Sequence, residues 1–301
     1  MRGAAPTSTR LGALREATAA LDAAGIESAR QDAEWLLAAV LGLERFAPYL
    51  DSGAELDPEA AERYRALSSR RARREPLQYL LGHEDFHGLR LAVTRDVLIP
   101  RPETEGLVEW AVEALRDRPA AAIADVGTGS GAIACALARI RPDLRIVAVD
   151  RSLAALAVAA RNVRRLGLAG QVSLLAGDLL EPLRSGSERL SMVIANLPYV
   201  PTASVGRLPA EVSRFEPPLA LDGGSDGMSL TRRIITQAPR RLQSGGWLML
   251  EIGEDQAGAL ASLMAAEGFA GIEARRDLTG VERYIAGRWL EASAPAPRRA
   301  C

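Results

Sequence analysis

Ile123-Ala124-Asp125-Val126-Gly127-Thr128-Gly129-Ser130-Gly131 runs directly into the alanine-rich stretch Ala132 to Arg139. The order is a short apolar strand, a glycine-rich loop and the first turns of a helix. Glycines there let the backbone approach a ligand closely and accept positive φ. The spacing G-x-G-x-G departs from the dinucleotide fingerprint G-x-G-x-x-G. It suits a cofactor without a pyrophosphate, such as S-adenosylmethionine. Gly127, Thr128, Gly129, Ser130 and Gly131 are therefore candidate cofactor-binding residues.

Working outward, Arg145-Ile146-Val147-Ala148-Val149-Asp150 is a second strand that ends in a carboxylate. It lies about 20 residues beyond the loop, where an acidic residue can take the two ribose hydroxyls of an adenosine. A third strand, Val172 to Ala176, ends near Gly177-Asp178-Leu179, where the adenine edge is expected. A fourth apolar run, Met192 to Ala195, stops abruptly in Asn196-Leu197-Pro198-Tyr199. An Asn carbonyl can accept a hydrogen bond from a planar NH2 group, and a Tyr ring can stack on it. Methylation of an amide or amino nitrogen needs both. Taken alone the tetrapeptide is equally a strand followed by an ordinary Pro turn. Four pieces in order, each at the carboxyl end of a strand, point to a ligand site at a sheet edge.

The composition is that of a globular chain: 301 residues, 25% charged, net charge −1, with room for one large domain and a small one. All 37 basic residues are arginine. Residues 1–100 hold 13 arginines against 15 acidic residues, which argues against a broad phosphate-binding surface. The single basic run, Arg70-Arg71-Ala72-Arg73-Arg74, reads as a solvated helix end that favours the C-terminal dipole. Of the two cysteines, Cys135 reads as core packing and Cys301 is the last residue; they make neither a disulfide framework nor a zinc set. No apolar run approaches a membrane span and no signal-peptide pattern opens the chain, so the expected location is cytoplasmic, with no membrane partner.

Residues 1–75 read as helices. One opens at Thr9 and stops at Gly25, a second covers Ser28 to Leu41, and a third starts at Asp57-Pro58-Glu59 and runs to about Arg74. Residues 76–98 read as a β-hairpin linker around Gly82 and Gly88. Residues 99–290 alternate strand and helix, with late strands at Trp247 to Ile252, Ile272 to Arg276 and Arg283 to Ala286. That pattern implies an α/β fold with a mostly parallel sheet covered by helices. Residues 291–301 are expected to be a disordered tail. His83 and His87 are four apart, but the glycines around them oppose the helix that would align them on a metal, and no metal is expected.

The chain resembles the bacterial peptide-chain-release-factor glutamine methyltransferase family. The resemblance rests on Gln78-Tyr79-Leu80-Leu81-Gly82, Phe86-His87-Gly88 and Val97-Leu98-Ile99-Pro100-Arg101-Pro102-Glu103-Thr104-Glu105. It continues through Gly127–Gly131, Asn196–Tyr199, Phe215-Glu216-Pro217, Gly223–Gly227 and Glu251-Ile252-Gly253. It implies a class I S-adenosylmethionine-dependent methyltransferase fold, with a seven-stranded Rossmann-like sheet and a small N-terminal helical domain for substrate recognition. It implies methyl transfer to the side-chain amide of the Gln in the Gly-Gly-Gln motif of class 1 release factors. By the same resemblance Asn196, Leu197, Pro198 and Tyr199 hold the substrate amide and carry the reaction. Asp150, Asp178, Leu179 and Asn196 then join the glycine loop around the cofactor. A monomer that does not bind nucleic acid directly is expected.

One departure stands out: Leu197 occupies the place of the family's usual first Pro. Leu still offers the same backbone carbonyl, and as the residue before a Pro it stays biased to extended backbone. The φ restriction of a proline ring is lost, so a looser site is expected rather than a dead one. Asn-Leu-Pro-Tyr also occurs in rRNA adenine dimethylases. A ribosomal-protein glutamine and a nucleic-acid adenine therefore remain alternative substrates. Val212 and Phe215 favour the release factor over the ribosomal protein, and the neutral charge balance disfavours nucleic acid.

Overall fold

The structure is a computed structural model that describes residues 9–46, 49, 51–183 and 189–291. Cys301 and all but the first residue of the expected tail lie outside the described residues. The chain forms two compact units: one takes the chain up to His83 together with Pro209–Phe215, and the other takes the rest.

The helical unit is built from capped, short helices. In α1 (Arg10–Ala23) the Gly12 N–H donates to Thr9 Oγ1 at 3.1 Å. Helix α2 (Ala29–Leu41) ends at Gly42 in the left-handed region, the usual helix stop. In α3 (Pro58–Ala72) Asp57 accepts from the Glu59 and Ala60 N–H groups, and Pro58 sits where no N–H is needed. Leu21, Leu36, Leu37, Leu56 and Tyr64 close the core between them. The sequence pattern misses α4 (Leu77–Leu81), a single turn where extended chain is expected. Pro76 enters it, Gly82 at φ 77° ends it, and four of the five residues between, three Leu and one Gln, are strong helix formers.

The larger unit, which begins at Glu84, opens within a hairpin of β1 (His83–Phe86) and β2 (Leu89–Ala92). His87 and Gly88, both at positive φ, make its turn. The His87 N–H donates to the Glu105 carboxylate at 2.6 Å, and His83 Nδ1 lies 3.2 Å from the Leu81 carbonyl oxygen. Helix α5 (Glu103–Ala114) follows, then β3 (Ala122–Val126), α6 (Ala132–Ile140), β4 (Arg145–Asp150), α7 (Leu153–Arg165), β5 (Val172–Ala176) and β6 (Leu190–Asn196). After β6 come α8 (Thr202–Val205), α9 (Ala210–Phe215), α10 (Ser229–Gln237), β7 (Leu242–Glu251), α11 (Ala257–Ala266), β8 (Phe269–Arg276) and β9 (Glu282–Trp289).

Strands β3 to β9 form one seven-stranded sheet in the order β5-β4-β3-β6-β7-β9-β8, apart from the β1–β2 hairpin. The pairs from β5 through β7 are parallel, and the β7–β9 and β9–β8 pairs are antiparallel. Helices on both faces explain why β3 and β6 are nearly continuous apolar runs. Strand β7 starts five residues before the expected Trp247, taking in Ser244-Gly245-Gly246, and the β6–β7 register shifts nearby. The strand order reverses between β3 and β6. That switch point sets Val126 beside Ala195, so the glycine loop and Asn196 emerge side by side. Behind the loop, the fully buried Asn162 of α7 donates to the carbonyls of Ala92 and Ser130 and accepts from the Ala92 N–H.

The basic run is not solvated throughout. Arg71 is 6% exposed, donates to Asp32 at 2.6 Å and reaches Glu211 of α9 at 3.1 Å. Arg74 also pairs with Glu211, and Arg70 with Glu75. Sequence spacing cannot show these partners, since two of the carboxylates come from α2 and from a segment 140 residues away. Arg71→Leu should cost about 3–5 kcal/mol, because it strands the buried Asp32 charge. Asp32→Leu combined with Arg71→Leu should recover most of that loss in urea unfolding.

Candidate active site

The cavity at the carboxyl edge of the sheet is bordered by the glycine loop on one side and the Asn196 turn on the other. Of the expected loop residues Gly127, Thr128, Gly129 and Ser130 border it. Gly131 does not; at φ 82° it starts α6, and an added Cβ would meet Ala159 at 3.4 Å. The loop is tied to its neighbours by several bonds. The Gly127 and Thr128 N–H groups both donate to the Val149 carbonyl. Thr128 Oγ1 donates to Asp125 Oδ2 at 2.6 Å, and the Ala134 N–H donates to the same oxygen. Asp125 is fully buried, and burial pushes its carboxyl up to about 7.

Asp150 ends β4 at the cavity wall. Its Oδ2 accepts from the Gly129 N–H and its Oδ1 from the Ser152 N–H, each at 2.9 Å. Each carboxylate oxygen can accept more than one bond, so acceptor capacity remains toward the cavity. Asp178 and Leu179 border the same space. Leu179 takes positive φ, and Arg233 holds Asp178 at 2.8 Å.

Across the cavity stand Asn196, Leu197 and Pro198. Asn196 ends β6 in register with Glu251 at the end of β7. Asn196 Nδ2 donates to Thr104 Oγ1 at 3.1 Å, and Thr104 Oγ1 donates to Glu251 Oε2 at 2.7 Å. Tyr199 lies outside the cavity lining, its hydroxyl 3.4 Å from Glu251 Oε1. Burial first, then the Glu251 charge, pushes that hydroxyl up to about 12. Glu251 itself is 2% exposed, and burial raises its carboxyl to about 7.

The Asn196 turn is braced from behind. Leu197 is 5% exposed, and its Cδ2 lies 2.9 Å from the position a Cβ on Gly127 would take. A Cβ on Gly223 would fall 2.6 Å from the Pro198 carbonyl oxygen, and one on Gly227 would fall 2.2 Å from that of Tyr199. Gln256 donates to the Tyr199 carbonyl at 3.2 Å. Thr104, Arg101, Glu251, Gly223 and Gly227 carry no role by residue type alone; their signal in the sequence is their place in the stretches Val97–Glu105, Gly223–Gly227 and Glu251–Gly253. Arg101 borders the cavity and pairs with the buried Glu216 at 2.6 Å.

Among the described residues no group of His, Cys, Asp and Glu is arranged to hold a metal, and no helix is long and apolar enough to cross a membrane. The family described as PrmC N-terminal domain matches residues 12–82, and that described as methyltransferase small domain matches residues 109–207. The release factor glutamine methyltransferase of Geobacter sulfurreducens is 46% identical over 88% of this chain and 91% of its own length. That of Moorella thermoacetica is 48% identical over 85% and 89%. Among solved structures, the catalytic domain of hMettl16 in complex with MAT2A 3'UTR hairpin 1 shares the fold, with a TM-score of 0.57 at 15% identity over 77% of this chain and 83% of that one.

The close approach at Gly227 gives a direct test of the bracing. Gly227→Ala combines positive φ with a 2.2 Å clash against backbone. It should destabilise the protein by about 2–4 kcal/mol, measured by denaturant unfolding. Gly258→Ala, where nothing lies within 4 Å of the added methyl, should cost nothing.

Proposed function

Because the chain belongs to the family of release factor glutamine methyltransferases, we propose that it methylates the side-chain amide nitrogen of the Gln in the Gly-Gly-Gln motif of class 1 release factors. The observation that carries this reading is the Asn196 carboxamide, held at the cavity edge with Nδ2 engaged by Thr104.

The cavity fits S-adenosylmethionine. Carboxylates at Asp150 and Asp178 suit a cation and a ribose diol. At the positive-φ glycines 127 and 129 the loop offers bare backbone to the cavity, and a Cβ on Gly129 would meet nothing nearer than 4.0 Å. Bound there, the cofactor supplies a methyl group on a sulfonium, an already activated leaving group.

The protein's own task is positioning. An amide nitrogen is a weak nucleophile because its lone pair is delocalised. Asn196 Oδ1 and the Leu197 carbonyl accept the two amide hydrogens and aim the lone pair at the methyl. Holding the atoms at attack distance replaces a strong base, and the two acceptors support positive charge as it develops on nitrogen. On receiving the methyl group the amide nitrogen would give up one proton to water, and the two acceptors would hold it through that change. Pro198 and Tyr199 stiffen the turn that presents these acceptors. The helical unit, matched by the PrmC N-terminal domain family, takes the recognition of the protein substrate.

Tritiated S-adenosylmethionine should label an intact class 1 release factor and not the same factor with the motif Gln replaced by Ala. Label on naked rRNA or on a ribosomal protein, with none on the release factor, would overturn the assignment. Asn196→Ala should slow transfer on the order of 10²–10³-fold, by analogy with loss of one oxyanion-hole donor. Asp150→Ala should weaken cofactor binding by about 1.5–3 kcal/mol in calorimetry; equal affinities would remove Asp150 from the site.

A further inference from the structure

A carboxamide is nearly symmetric in shape but not in chemistry: one end accepts and the other donates. The proposed reaction needs the accepting end of Asn196 to face the substrate. Resting on that reading, we infer that Thr104 and Glu251 are positioning residues that fix which end of the Asn196 carboxamide faces the cavity.

Thr104 Oγ1 carries one proton. It goes to Glu251 Oε2, at 2.7 Å with both groups buried. As a carboxylate, Glu251 can only accept, so the Thr104 proton has to point at it. The Thr104 oxygen is then left with lone pairs alone toward Asn196, 3.1 Å away. Only the NH2 end of Asn196 can satisfy them. Oδ1 is thereby directed away from Thr104, and among the described residues nothing donates to it. A neutral group at 251 breaks this logic. It can donate to Thr104, which frees the Thr104 proton for Asn196 Oδ1. The carboxamide then turns over and its acceptor is consumed inside the protein.

Topology makes the arrangement possible. Asn196 and Glu251 end neighbouring parallel strands in register, and Thr104 in the first turn of α5 bridges them. Glu251 also holds the Tyr199 hydroxyl, so one carboxylate orients two residues of the turn. The titratable groups facing it are Tyr199 from the turn, Glu103 from α5, and Arg283 and Tyr284 from β9. Arg283 favours its charge, while Glu103 and burial oppose it.

Two measurements test this, one of them independent of the substrate. The chain has two asparagines, Asn162 and Asn196, so selective ¹⁵N-asparagine labelling displays two side-chain NH2 groups. The Asn196 signal should shift between pH 6 and 9 as Glu251 titrates, and Glu251→Gln should abolish the shift. A wild-type signal that does not move, or one that still moves in Glu251→Gln, overturns the inference whatever the substrate is.

Single-turnover methylation of intact release factor supplies the second test, the wild-type rate being the separate check on the substrate assignment. Thr104→Val, which keeps the shape and removes the hydroxyl, should slow transfer roughly 10–100-fold, with cofactor affinity within about twofold of wild type. Thr104→Ser should stay within about threefold of the wild-type rate. Glu251→Gln should slow transfer about tenfold at pH 8 and remove the loss of rate that wild type shows as pH falls through about 7. The double variant should be no slower than Thr104→Val alone, since both act through one carboxamide. Equal rates for wild type and Thr104→Val, or equal damage from Ser and Val, would refute the positioning role.

Discussion

The last rung of the β6–β7 ladder sets a carboxamide, Asn196, beside a buried carboxylate, Glu251. Burying a carboxylate is costly unless its oxygens are hydrogen-bonded, and both oxygens of Glu251 are engaged, by Thr104 and by Tyr199. Those two bonds link the start of α5, the end of β7 and the turn that follows β6, and Thr104 carries the linkage on to Asn196. A shared polar partner gives them a defined orientation, at the expense of some stability.

The second constraint is steric. The turn after Asn196 lies so close to Gly127, Gly223 and Gly227 that a single methyl on any of them would meet an atom within 3 Å. Glycine is required here less for flexibility than for proximity. Leu197 shows how the same rigidity can arise in different ways. A proline in its place would restrict φ covalently; the leucine is held by burial in the core that includes Val126, Ala195 and Leu250. The looseness expected from the missing ring is therefore opposed by packing.

Much of the fold was legible because its signals are local. Each strand from β3 to β6 is an apolar run that ends in a glycine, a carboxylate or an amide, and the parallel sheet follows from the alternation of strand and helix. The glycine loop, Asp150 and Asn196 could be picked out because their roles attach to residue type and strand end. Thr104 and Glu251 could not, since neither a threonine near a helix start nor a glutamate after an apolar run has a role fixed by its type and place. Their meaning lies in a contact across 147 residues of sequence. Arg71 is hidden for the same reason: an arginine among arginines looks solvated until its carboxylate partners are located. The turn Leu77–Leu81 was lost between two stronger signals, Pro76 and Gly82.

The helical unit is discontinuous in sequence, because Pro209–Phe215 belongs to it while the chain on either side belongs to the larger unit. Arg71 and Arg74 thus leave the ribosome long before Glu211, their partner. At about 5–20 residues per second, the wait between Arg74 and Glu211 is on the order of 7–30 s. For that interval the nascent helices hold two cationic side chains without their shared counter-charge. The N-terminal segment becomes a finished folding unit only when some two-thirds of the protein has been synthesised.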